Sequence, residues 1–112
     1  MAQLPFDDAS APLYSVGQVA TMLGVQQAFL RRLDTLDVVT PARSTGDQRR
    51  YSRVDIDLVQ QAVTFADEGL TLAGVRRIFA LQEQVRSLET EVARLRAPGS
   101  PAARGEKGRT RR

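Results

Sequence analysis

A chain of 112 residues has room for one domain, and its formal charge of +3 hides where the charge sits. It has no cysteine and no histidine, which excludes disulfides, thiolate chemistry and the usual zinc, copper or haem ligands; no metal and no cofactor is expected. No apolar run approaches the ~20 residues needed to cross a bilayer and nothing resembles an export signal, so a cytoplasmic address without membrane contact is expected.

Residues 1–13 carry Pro5, Pro12 and the acidic pair Asp7-Asp8 without periodicity, and read as a disordered arm. Order is expected from Tyr14. Ser15 and Gln18 have capping-box spacing. Val16, Val19, Ala20 and Leu23 then repeat at helical spacing, and Gly24 stops the helix. Val25–Leu36 reads as a second helix with Val25, Phe29, Leu33 and Leu36 on its buried stripe, and Arg31 and Arg32 beside it. Two short helices joined through a glycine turn fit a helix-turn-helix.

Val38 to Pro41 suggests a short extended piece. The stretch from Arg43 to Tyr51 then reads as a hairpin or wing, with Gly46-Asp47 as its turn and Arg49, Arg50 and Tyr51 on the return side. Adjacent residues on a strand point to opposite faces, so Arg49 and Arg50 are expected to split their roles, one toward phosphate and one toward packing. The Tyr51 ring is expected at the base of the wing. Residues 31–53 hold six arginines against three aspartates, a local basic surface of the kind that meets nucleic acid.

Ser52 and Asp55 form a second capping-box pair, opening a helix to about Asp67 that Glu68-Gly69 closes. Thr71 is a good N-cap for the next helix. From Ile78 the apolar positions run Ile78, Leu81, Val85, Leu88, Val92 and Leu95, the a/d rhythm of a coiled coil. So narrow a stripe, over about 27 Å of helix, fits dimerisation better than packing within the chain, in either orientation. Pro98-Gly99 ends it. Residues 98–112 carry five Arg or Lys and one Glu with no large apolar side chain, and read as a disordered basic tail, either a diffuse phosphate contact or a solubilising end.

The order of these parts resembles the MerR family of bacterial transcription regulators. Residues 14–20 (YSVGQVA) look like the family's opening helix and Gly24-Val25 like its turn. Leu30-Arg31 matches the start of its LRYYE stretch, and residues 36–43 (LDVVTPAR) match the segment leading to the wing. Residues 49–52 (RRYS) match the wing, and residues 69–72 (GLTL) match the junction before the last helix. The doubled wing arginine and the LTLAG segment at 70–74 look nearest to the heat-shock repressor (HspR-like) branch, whose members repress stress and chaperone genes.

The resemblance implies a mainly α fold: a winged helix-turn-helix DNA-binding domain over 14–77, then a coiled-coil dimerisation helix over 78–97. It implies that Gln26 to Thr35 enters the major groove, with Arg31, Arg43 and the Arg50-Tyr51 pair in the family's backbone-contacting places. Gln26, Gln27, Ala28 and Arg32 are candidates for base edges, Gln being suited to adenine and Arg to guanine. Together with Arg49 of the wing, these make the expected DNA surface. Arg32, Leu33 and Asp34 depart from the family's YYE, Phe29 stands where Thr is usual, and Asp37 and Asp47 replace glycines, which leaves the operator sequence open.

The expected function is therefore a sequence-specific regulator of double-stranded DNA, a repressor acting as a homodimer on a pseudo-palindromic operator in the bacterial nucleoid. RNA polymerase or a chaperone is the further partner to expect. An architectural or phage-type factor using the same winged unit is the alternative. No catalytic pattern supports an enzyme.

Overall fold

Seven elements follow one another in the computed structural model, which describes residues 7–99: β1 (Tyr14–Ser15), α1 (Val16–Leu23), α2 (Gln27–Thr35), β2 (Ala42–Arg43), β3 (Arg49–Tyr51), α3 (Arg53–Asp67) and α4 (Leu72–Arg96). The fold is mainly helical, with a small antiparallel sheet in the order β1-β3-β2. Its register pairs Tyr14 with Tyr51 and Ser15 with Arg50 on one side, and Ala42 with Arg50 and Arg43 with Arg49 on the other. The basic tail expected from residue 98 lies, from residue 100 on, outside the described residues. Tertiary contacts divide the chain between Arg77 and Ile78.

In the first unit the caps form as their spacing predicts. The Gln18 amide donates to Ser15 Oγ at 3.1 Å, and the Ser15 amide donates to Gln18 Oε1 at 2.8 Å. Ser52 and Asp55 repeat the exchange at the start of α3. Gly24 ends α1 at φ 65°, a left-handed conformation that glycine adopts without penalty. At the start of α4 the Gly74 amide donates to Thr71 Oγ1 at 3.1 Å.

The core gathers Val19 and Ala20 of α1, Leu30 and Leu33 of α2, Val38, Val39, Tyr51, Val59 and Ala62 of α3, and Val75 of α4. Here the structure corrects the stripe expected for α2. Leu30, 1% exposed, is an inward anchor, whereas Leu36 caps the helix and is 40% exposed. The helix also starts later, at Gln27, because Val25 belongs to the turn, where its amide donates to the Ala20 carbonyl.

Two further expectations change, at Val38-Val39 and at residues 8–13. Val38 and Val39 form no strand; both amides turn back to the Leu33 carbonyl, and their side chains are buried. This bend is possible because Asp37 takes φ 59°, a left-handed conformation that Asp tolerates better than most side chains. The wing turns at Gly46-Asp47 as expected, and within that turn Asp47 takes a positive φ of 64°. Residues 8–13, patternless in sequence, run against the domain: the Leu13 amide donates to the Tyr51 carbonyl and the Val54 amide to the Ala9 carbonyl. Backbone bonds of this kind leave no periodic trace in side chains.

In the second unit, α4 carries Leu81, Val85, Leu88 and Val92 on its surface, with Leu88 65% exposed. The pairs Arg86–Glu83 and Arg94–Glu91 lie on its flanks. Arg94 holds the Glu91 carboxyl below its ordinary range through their hydrogen bond. No helix among the described residues is long and apolar enough to cross a membrane.

Candidate nucleic-acid interface

Helix α2 turns one face to the core and the other to solvent. At about 100° per residue, Gln27, Ala28, Arg31 and Arg32 fall on one exposed arc, opposite Leu30 and Leu33. Phe29 is half-buried and lines an apolar groove with Val25, Val63 and Ala66, so it leaves the exposed arc polar. Gln26, exposed, precedes the helix without a side-chain cap bond. Gln27 Oε1 accepts from Arg31 Nη2 at 3.0 Å, which fixes the direction of both side chains.

The wing separates its arginines as strand alternation requires. Arg49 Nε donates to Asp34 Oδ2 of α2 at 2.7 Å, and Arg43 Nη2 reaches the same oxygen at 3.3 Å. Arg43 Nη1 also donates to the Asp47 carbonyl at 3.3 Å. Arg50 points to the other face of β3, between its register partners Ser15 and Ala42, and its side chain makes no hydrogen bond or ion pair among the described residues.

Tyr51 shares the face of Arg49 and is fully buried; it supports the wing from inside and is not part of the exposed surface. Its hydroxyl has no hydrogen-bond partner among the described residues. Burial pushes its pKa up, Arg49 opposes that shift, and Asp34 and Asp55 add to it. A raised folded-state value means that stability is full below the ordinary tyrosine pKa of ~10 and is lost as pH rises through the folded value. Tyr51→Phe removes both the unsatisfied hydroxyl and this titration. The variant is expected to melt at or above the wild-type temperature at neutral pH, with a shallower decline above about pH 10. Thermal melts across that range check it; a loss above ~2 kcal/mol at neutral pH would mean that the hydroxyl makes a stabilising bond.

Asp34 is the residue that sequence reasoning missed. In the sequence it stands only as a departure from the family pattern. The signal was present in the charges, one acid on α2 and a surplus of arginines in the hairpin, but no spacing rule links residues nine and fifteen apart in sequence. No group of His, Cys, Asp or Glu side chains that could hold a metal ion occurs among the described residues.

A helix pair joined by a tight turn and flanked by a β-hairpin defines a winged helix-turn-helix protein. Residues 14–82 match the family model described as MerR HTH family regulatory protein, and the chain belongs to that family of transcriptional regulators. It is 40% identical over 93 residues to a putative heat shock protein HspR of Streptomyces coelicolor, covering 82% of this chain and 62% of that one. Among solved structures it resembles the N-terminal part of MtaN, the multidrug transporter activator of Bacillus subtilis. That match has a TM-score of 0.53 and 29% identity, and covers 73% of this chain and 87% of the other. It also shares the fold of HiNmlR, a MerR family regulator lacking the sensor domain and bound to promoter DNA, at TM-score 0.54 and 16% identity, over 74% and 79% of the two chains.

Proposed function

We propose that the protein is a sequence-specific regulator that binds double-stranded DNA as a homodimer and represses transcription from a pseudo-palindromic operator. The observation that carries this reading is the pairing of an exposed polar arc on α2 with a wing tied to the same helix through Asp34. Such a helix enters the major groove while the wing follows the flanking backbone. Gln26, Gln27, Ala28 and Arg32 supply base-edge contacts, while Arg31 and Arg50 anchor phosphate. The likeness to HspR supports a role at stress genes, and the promoter DNA bound to HiNmlR supports the same class of ligand here.

The domain boundaries follow the same logic: a DNA-binding part over 14–77 and a dimerising part over 78–97, where the uncovered heptad side chains of α4 meet a second copy. RNA polymerase or a chaperone would act as a further partner of the assembled dimer in the bacterial cytoplasm.

Footprinting on the DNA preceding the protein's own coding sequence tests the proposal. Protection of a discrete inverted repeat is expected, and it is lost in Arg31→Ala and Arg50→Ala, each weakening binding across sequences alike. Undiminished binding by both variants overturns the proposed face, and broad coverage without sequence preference favours an architectural protein over a regulator.

A further inference from the structure

The hairpin of the wing is built from strands of two and three residues, and a two-stranded hairpin of this size holds its own geometry poorly in water. On the α2 side its position rests on Asp34. That carboxylate, 15% exposed, takes both Arg49 Nε and Arg43 Nη2 on one oxygen. Charge-assisted bonds of this kind are shorter and stronger than neutral ones, and the planar guanidinium adds a fixed direction. Arg43 closes the arrangement by also holding the Asp47 carbonyl at the tip of the wing. One acid thus engages two of the three wing arginines, in the manner that a DNA phosphate would engage them.

We propose that Asp34 is a positioning residue for DNA binding: it stands in for phosphate, keeping Arg43 and Arg49 off the backbone and fixing the wing against α2, so that Arg50 is the wing's phosphate contact. The proposal rests on the DNA-binding reading above. It assigns Arg43 and Arg49 to the inside of the protein's own electrostatics rather than to the ligand. It also makes the angle between wing and helix, and with it the fit to a particular operator, depend on one carboxylate. Without it, both arginines become available to any phosphate, whatever the sequence.

The test uses the full chain, the DNA preceding its own coding sequence and a scrambled duplex of equal length, with affinities measured over a salt series. Each phosphate contact contributes about 0.9 to the slope of log K against log salt. Asp34→Asn is expected to bind the scrambled duplex more tightly, to steepen that slope by about 1–2, and to lower the preference for the native fragment by about tenfold. Asp34→Glu is expected to stay near wild type in slope. Arg49→Gln leaves the slope unchanged, whereas Arg50→Gln lowers it by about 1.

An Asp34→Asn protein with wild-type slope and preference overturns the role of Asp34 while leaving the DNA-binding reading in place. So does an Arg49→Gln protein whose slope falls as far as that of Arg50→Gln. A wild-type chain that binds neither duplex overturns the DNA-binding reading and this proposal with it.

Discussion

Replacing Leu81 and Leu88 together with lysine is expected to leave single chains in solution and to lower affinity for an inverted-repeat operator by about 10²–10⁴-fold. Both leucines are more than half exposed on the single chain, so the substitutions remove little that the chain itself uses; exposed changes usually shift stability by less than ~0.5 kcal/mol. Across a heptad seam the same positions are interior, and each apolar side chain buried there stabilises by about 1.5–3 kcal/mol. Lysine also brings a charge that would have to be desolvated. In the proposed dimer the affinity loss follows from geometry, because two linked half-site contacts would become two independent weak ones. Sedimentation equilibrium reads the first effect, titration with one and two half-sites reads the second, and circular dichroism shows that the chain remains folded. A double variant that keeps the dimer mass would move the interface away from the heptads.

Leu30→Ala is expected to destabilise the domain by about 2–5 kcal/mol, and Leu36→Ala by less than ~1 kcal/mol. Leu30 lies inside the core, where truncation loses both transfer free energy and the contacts of its neighbours, which relax only in part. Leu36 caps α2 with its side chain partly in water. Native domains are stable by only about 5–15 kcal/mol, so the first change alone removes a sizeable fraction of the stability of a domain this small. It also loosens the helix that presents Gln27 and Arg31. Urea titrations of the two variants side by side check the ranking. A larger loss for Leu36→Ala than for Leu30→Ala would restore the stripe Val25, Phe29, Leu33, Leu36.

That contrast shows where sequence reading works and where it ends. The capping pairs Ser15–Gln18 and Ser52–Asp55 were legible because each joins residues three apart through groups whose geometry the helix itself dictates. The heptad positions from Ile78 to Leu95 were legible for the same reason, since periodicity is a local property of the helix. In α2 the apolar residues fill a sector broad enough to admit two stripes, and packing within the domain selected the one through Leu30 and Leu33.

The wing turned on similar limits. Its strand alternation separated Arg49 from Arg50, but nothing local said which face met α2. Residues 8–13 gave no sign of order, because they are held through backbone bonds that any side chains permit.

The sequence by itself determined the family, the order of the helices and the wing, the absence of cysteine and histidine chemistry, and the basic stretch between Arg31 and Arg53. Each depends on residue identity or on spacing within a few turns of chain. The tertiary structure decided which wing arginine makes no ion pair among the described residues, and that Asp34 joins the helix to the wing. Those outcomes depend on bringing residues nine and fifteen positions apart to 3.3 and 2.7 Å of one another. A charge pair of that kind gains its attraction only at short range, and it exists only once the hairpin has closed against α2.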